Sequence, residues 1–252
     1  MDDHALLDVL GAAADAVSAA LGRLPDWGPA GTRPGQYRSD LVADDAAVGV
    51  LTGAELGVVS EESGVVGADR GVVVVLDPVD GSTNAAHGIP WYATSMCAVD
   101  EAGPRAALVV DLARGVRFQA LRGKGAWRDG HAVRPSARRT LNDALVALSG
   151  WPGRHLGWRQ YRVLGAAALD LCAVADGTVD AYLECDGDGL GPWDYLAGML
   201  ICQEAGAAVA DLEGRDLVVL STDARRTPLA AGNGELLAAV ARSRTGRLDA
   251  GL

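Results

Sequence analysis

Apolar positions first recur at helical spacing. Leu6, Leu10, Ala13, Val17 and Leu21 fall on one face of a helix expected over residues 4–21, and Asp2 and Asp3 stand at its start, where negative charge suits the helix dipole. A loop rich in Gly and Pro follows over 25–35, and Ser39 or Asp40 can cap a second helix running to about Leu51. The pattern then changes period. Residues 56–60 read as a strand leading into Glu61-Glu62-Ser63-Gly64, residues 65–70 as a link, and Val72-Val73-Val74-Val75 as a strand buried on both faces. Further strands are expected over 92–99, 106–111 and 116–121. A turn, a short strand and a second turn fill 123–130, a connector 140–143, a strand 144–149 and irregular chain 151–158. Then come a helix over 162–175 and a strand over 178–184. A helix over 192–206 is opened by Pro192 and closed by Gly206. Short strands at 209–211, 217–220 and 229–231, a last helix over 235–242 and a frayed tail from Ser243 complete the reading.

A chain of 252 residues holds one large domain or two closely packed halves. It is 49% hydrophobic with a single Phe, so the core rests on Val, Leu and Ala. The formal charge of −11 argues against a nucleic-acid surface, which needs clustered Lys and Arg. An acidic chain still binds a phosphorylated small molecule if metal ions reverse the local field. Cys97, Cys172, Cys185 and Cys202 are scattered, with no CxxC pair, and read as buried thiols of a reducing cytosol. No signal peptide opens the chain and no apolar run approaches membrane-spanning length, so a cytoplasmic protein is expected.

The candidate chemistry begins at Leu76-Asp77-Pro78-Val79-Asp80-Gly81-Ser82-Thr83-Asn84. Asp77 and Asp80 end the valine strand, Pro78 restricts the backbone, and Gly81 permits a sharp turn. Ser82, Thr83 and Asn84 are residues that start helices and leave backbone N–H groups free. Asp-Pro-x-Asp-Gly is also ordinary turn chemistry. Two further acidic stretches change its meaning. Glu61 and Glu62 at a strand's end repel unless something positive lies between them, and Asp194 falls in the first turn of a helix. Carboxylate oxygens suit Mg²⁺, whereas His or Cys would suit zinc, and the four His residues lie outside these stretches, His87 alone being close. No Ser–His or Cys–His nucleophile is evident, which favours direct attack by water on a phosphate held by two cations.

Three of these segments together, Asp77-Pro-Val-Asp80-Gly-Ser-Thr-Asn84, Glu61-Glu62-Ser-Gly and Trp193-Asp194-Tyr-Leu-Ala-Gly, resemble the signatures of the inositol monophosphatase family, in its order. The helix from Gly165 followed by Asp180-Ala-Tyr-Leu-Glu184 is similar to its substrate-side segment. The resemblance implies an α/β (α+β layered) fold of the sugar phosphatase type, alternating helix–sheet–helix–sheet–helix. It implies one unit over 1–252, with an N-terminal α+β half over about 1–140 and a C-terminal α/β half over about 141–252, often dimeric. It implies Mg²⁺-dependent hydrolysis of a small phosphate monoester, inositol monophosphate or a related sugar or polyol phosphate. Carried over by residue, Glu62, Asp77 and the Val79 carbonyl hold one Mg²⁺. Asp77, Asp80 and Asp194 hold a second, and Glu62 helps hold a third. Ser82, in the family's usual Thr position, keeps the hydroxyl that orients water, and Glu62 counts with it as catalytic; the Gly81 and Ser82 amides, with Thr83 beside them, hold phosphate. Gly165 and Ala166 flank the substrate, and Glu184 touches its hydroxyls.

The chain also departs from the family. The early segment usually reads Asp-x-Val-Thr-x-x-Asp, but here Ala43 and Ala46 replace Thr and the last Asp, so Asp44 or Asp45 is expected to stand in as the water-orienting acid. Gln36, Tyr37 and Arg38 stand where a Lys is common. The loop over 185–192 is long and Gly-rich, and its Asp186 or Asp188 could take over from Glu184. Fructose bisphosphatases, histidinol phosphatases and adenosine bisphosphate nucleotidases share the metal loop, and a degenerate phospho-ligand-binding protein is the alternative of another class. The expected partner is a small phosphorylated metabolite, with no nucleic acid, no membrane and a second copy of the chain.

Overall fold

The computed structural model describes residues 1–33 and 35–245. Two helices come first, α1 (Asp3–Leu21) and α2 (Arg38–Gly53). The valine run then builds β3 (Val73–Asp80), buried along its whole length, at the centre of the first sheet. Its neighbours are β1 (Gly57–Ser60), β2 (Gly64–Val66), β4 (Ala93–Asp100), β5 (Gly103–Asp111), β6 (Arg117–Leu121), β7 (Gly125–Arg128) and β8 (His131–Ala132), in the order β2-β1-β3-β4-β5-β6-β7-β8. Only β1 and β3 run parallel; the other pairs are antiparallel. A short α3 (Ser82–Ala86) follows β3.

The second sheet is built from β9 (Leu145–Ser149), β10 (Gln160–Arg162), β11 (Ala181–Glu184), β12 (Ala208–Asp211) and β13 (Pro228–Ala231), in the order β10-β9-β11-β13-β12. Helices α4 (Ala167–Ala175) and α5 (Pro192–Ala205) lie between the sheets. Leu171, Leu196 and Ile201 meet Val75 and Val109 on one side and Ala147, Tyr182 and Ala230 on the other. A helix clamped on both faces must be apolar nearly all round, and α5 is. On the outer face of the first sheet Leu6, Leu10, Ala43 and Leu51 pack on Val74 and Leu76. On that of the second, Leu236 and Val240 of α6 (Gly234–Thr245) pack on Val146 and Leu148. The expected five layers are present, and the core is made of Val, Leu and Ala.

The α4–α5 contact is close enough to need a glycine. A Cβ on Gly198 would stand 2.6 Å from Leu171 Cβ. Alanine gains up to about 1 kcal/mol of helix propensity over glycine, but overpacking costs about 1–3 kcal/mol. Gly198→Ala is therefore expected to lower the melting temperature by several degrees in calorimetry; an unchanged or raised value would show that the two helices can separate freely.

Several boundaries differ from expectation. The link over 65–70 contains the edge strand β2, and 217–220 forms no strand. The helix expected from residue 162 starts only at Ala167, because Gln160–Arg162 pairs with β9 and Gly165 takes a φ of +87°. α6 continues through Thr245, and the rest of the expected frayed tail, 246–252, lies outside the described residues. α1 is long and apolar enough to cross a membrane, contrary to expectation, yet its apolar side packs into the core while Asp8 and Asp15 face outward. All four cysteines are free and buried.

Candidate metal centre

In a regular strand, residues three apart point to opposite faces. Asp77 and Asp80 escape this rule because β3 carries a bulge. Asp77 pairs with Ser95 and Asp80 with Ala93, so β3 advances three residues where β4 advances two. Pro78 and Val79 have no partner across β4, Pro78 has no N–H to strand, and the Val79 side chain is buried in the core under α1 and α2. The bulge turns both carboxylates the same way. Asp194, in the first turn of α5, meets them there, and oxygens of all three acids lie within 4.8 Å of one another.

Both sheets' layers hold this arrangement. The Asp80 carboxylate accepts hydrogen bonds from the Ala167 (3.2 Å) and Ala168 (2.6 Å) amides at the start of α4. Asp194 accepts from the Gly191 amide at 2.6 Å. Gly81 turns the chain with φ +82° and ψ +32°, and a Cβ there would lie 3.0 Å from Ala166 Cβ and from the Gly165 and Trp91 carbonyl oxygens. Asn84 locks the approach by donating to the carbonyls of Trp91 (2.8 Å) and Leu164 (2.7 Å). Gly165 and Ala166 thus form the wall behind the turn.

The acids are buried together. Asp77 is 1% exposed, and burial, then the charges of Glu61, Asp80 and Asp194, holds its carboxyl well above the usual range. Burial pushes Asp80 to about 8 against the opposing pull of the Ala168 amide. Glu61 also rises to about 8, through burial and then Asp194 and Glu62, and Asp194 rises through burial and then Asp80. Among the described residues no Lys or Arg pairs with Glu61, Asp77, Asp80 or Asp194. Asp77 Oδ1 is buried with no hydrogen-bond partner. An all-oxygen donor set with an orphaned buried carboxylate oxygen fits a hard divalent cation.

Two of the expected site residues have protein partners of their own. Glu62 lines the cavity beside Glu61 and is engaged there: its side chain, 3% exposed, pairs with Arg33 at 2.7 Å and accepts from the Gln36 side-chain amide. Glu61 is the glutamate whose charge Asp77 and Asp80 feel. A turn begins where β1 ends at Ser60, so strand alternation could not choose between the two. Asp44 is buried against the Ser60 hydroxyl, which also accepts the Glu62 amide at 3.1 Å, and Asp44 does not line the cavity that Glu61 and Ser82 line; Asp45 is exposed. The acid that does line it is Asp40, one helical turn or about 6 Å earlier in α2. Burial raises Asp40 to about 6, opposed by the Tyr37 amide and by the Ser82 hydroxyl. Sequence reading took Asp40 for a cap, and it is one, accepting from the Tyr37 amide at 2.9 Å.

The cavity, about 630 Å³, runs from Ser82, Asp40 and Glu61 to a wall of Trp193, Thr222 and Arg225. Thr83 does not line it, and its hydroxyl accepts from Tyr37 at 3.2 Å. Gly81, Gly165, Ala166, Glu184 and the aspartates Asp77, Asp80 and Asp194 do not line it; it adjoins the aspartate cluster through Ser82 and Trp193, close to Asp80 and Asp194 in the chain. Glu184 is buried at the end of β11, with Oε1 accepting the Asp186 amide at 2.7 Å and Oε2 unpartnered. Asp188 is engaged with Arg215 at 2.7 Å. Thr222 and Arg225 were not anticipated, since an isolated Thr and an Arg pair in a loop carry no pattern.

The sequence model of the Inositol monophosphatase family matches residues 52–246. A fructose-1,6-bisphosphatase/inositol-1-monophosphatase of Archaeoglobus fulgidus is 37% identical over 183 residues, 71% of each chain. One of Methanothermobacter thermautotrophicus is 35% identical, over 78% of this chain and 79% of its own. The Nus factor SuhB of Escherichia coli K12 is 36% identical over 62% of this chain and 63% of its own. Among solved structures, the extragenic suppressor protein suhB of Bartonella henselae superposes with a TM-score of 0.83 at 29% identity, covering 97% of this chain and 100% of that one. A Pyrococcus horikoshii protein described as similar to inositol-1 monophosphatase gives 0.82 at 27%, covering 95% and 96%. The bulged acidic strand, the layered fold and these likenesses agree: the chain belongs to the inositol monophosphatase family.

Proposed function

We propose that this protein is a Mg²⁺-dependent phosphatase that hydrolyses a small phosphate monoester, inositol monophosphate or a related sugar or polyol phosphate, by direct attack of water. The observation that carries this reading is the cluster of buried carboxylates, with no ion pair to a Lys or Arg among the described residues, and an orphaned Asp77 oxygen. In it, Asp77, Asp80, Asp194, Glu61 and the Val79 carbonyl hold two metal ions. Bound there, the ions lower the pKa of a water and stabilise the leaving oxygen.

The remaining roles belong to the chain. Asp40 and the Ser82 hydroxyl beside it orient the water, with Glu61 completing the set. The Gly81, Ser82 and Thr83 amides at the turn face the phosphoryl group. Gly165 and Ala166 keep that turn closed, and Glu184, buried behind the cavity, supports the loop before α5 by accepting the Asp186 amide. Glu62 holds Arg33 and Gln36 against the cavity. The partner is a small metabolite and not a nucleic acid, consistent with the −11 charge; a cytoplasmic homodimer is part of the same reading.

A panel of phosphate monoesters with and without MgCl₂ tests the activity. Phosphate release is expected only with the metal, and silence across the panel would sink the reading. The same assay ranks the two glutamates. Glu61→Gln is expected to lose about a hundredfold or more in kcat, as a lost ligand would, and Glu62→Gln about tenfold or less. The reverse ranking would return the ligand role to Glu62.

A further inference from the structure

One buried acid has no part in the centre described above. Asp170 lies in the first turn of α4 and is 1% exposed. Its Oδ1 accepts from the Trp91 indole Nε1 at 3.0 Å, across 79 residues of chain, and its Oδ2 is buried with no partner. No Lys or Arg pairs with it among the described residues. Burial raises its carboxyl to about 8 despite the indole bond, and its charge adds to the repulsion at Asp80. A half-satisfied carboxyl in the interior costs more than the helix dipole returns, so packing alone would favour an apolar side chain here.

What Asp170 holds is one end of the phosphate turn. The chain from Asp80 to Trp91 leaves the first sheet, turns at Gly81, runs through α3 and returns to the sheet at β4. The first turn of α4 grips it at both ends. The Ala167 and Ala168 amides bind the Asp80 carboxylate, and the Asp170 carboxylate binds the Trp91 ring. The Arg114 guanidinium covers that ring, 4.9 Å from its centroid, and its Nε donates to the fully buried Asp111 at 2.5 Å. With the ring fixed, the Trp91 carbonyl is fixed too. That oxygen accepts from the Asn84 side chain at 2.8 Å and would stand only 3.0 Å from a Cβ on Gly81. It therefore bears on the turn from two sides. We infer that Asp170 is a positioning residue: acting through the Trp91 indole, it sets the placement of the Gly81–Thr83 turn and so the affinity for the phosphoryl group. This inference rests on the phosphate-binding role given to that turn above.

The test titrates inorganic phosphate into the Mg²⁺-loaded protein by calorimetry, and so reads the turn whether or not an ester is hydrolysed. Asp170→Leu keeps the bulk and removes the acceptor. Trp91→Phe keeps an aromatic ring and removes the donor. Asp170→Asn keeps an acceptor and replaces the orphaned oxygen by an amide. Asp170→Leu and Trp91→Phe are each expected to weaken phosphate binding by about tenfold, and the double variant by no more than about twofold beyond either, because both break one bond. Half-saturation by Mg²⁺ should move by less than about twofold, and Asp170→Asn should bind phosphate within about threefold of wild type. Unchanged phosphate affinity, an equal loss of Mg²⁺ affinity, losses that add in the double variant, or no recovery in Asp170→Asn would overturn the assignment. If Asp170→Leu does not fold, Trp91→Phe decides, since it removes only the donor. A wild type that binds phosphate yet hydrolyses no ester would refute the phosphatase reading and leave this comparison intact. A wild type that binds no phosphate overturns the assignment.

Discussion

Asp77→Asn is expected to abolish turnover, by about a thousandfold or more, while raising the melting temperature of the metal-free protein. The substitution keeps the shape of a side chain that is 1% exposed and removes only its charge. That charge is repelled by Glu61, Asp80 and Asp194, and burial already pushes its carboxyl well above the ordinary range. Neutralising it relieves the metal-free protein and adds two amide hydrogens facing carboxylate acceptors. The loss appears when metal is added. A cation at 100 times its Kd stabilises a folded protein by about 2.7 kcal/mol, and a variant lacking the ligand forgoes most of that. A deficit of about 4 kcal/mol in the transition state is the thousandfold in rate. Calorimetry with EDTA and with MgCl₂, beside kcat, separates the two effects. Normal turnover would remove Asp77 from the site, and early melting in EDTA would make it a structural residue.

The second large effect concerns pH. Metal-free protein is expected to lose stability as pH rises from about 5 to 9. A carboxyl whose folded pKa lies above its unfolded value, near 4, keeps its proton longer in the native state. Between the two values the native protein binds more protons than the unfolded chain, so raising the pH through that window removes stability. Asp40, raised to about 6 by burial, gives way first; Glu61, Asp80 and Asp170, raised to about 8 mainly by burial, follow. Asp211, held near 2 by Arg215 and backbone amides despite burial, acts in the opposite sense only below about pH 4. Because the metal displaces protons from its ligands, MgCl₂ should raise the melting temperature by about 5 °C or more at pH 8 and by clearly less at pH 6. Melting scans in EDTA that are flat from pH 5 to 9 would show that water enters the cluster and relieves it.

Much of this was legible from residue order. The valine run, the helical spacing of Leu6 to Leu21, and the Pro192 and Gly206 boundaries of α5 carry their structure locally. The acids of the centre were legible because Asp-Pro-Val-Asp-Gly specifies a bulge and a turn by its own backbone chemistry. What stayed hidden depended on distant partners. Glu61 and Glu62 are separated by which one Arg33 and Gln36 claim, some 26 to 29 residues away. Asp40 and Asp44 share a helix face and are both buried, and only Ser60, from another element, shows that Asp44 is the one consumed by packing. The late start of α4 reflects Asn84 holding the Leu164 carbonyl across 80 residues, against a local sequence that favours a helix.

The bond from Asp80 to the first amides of α4 has a wider meaning. One ligand-bearing strand belongs to the first sheet, while the helix that supplies Asp194 is wedged between both. The centre exists only where these layers meet, so turnover doubles as a gauge of how well they are seated. Damage to that seating, even far from any carboxylate, would silence the enzyme while most of the molecule still looked intact.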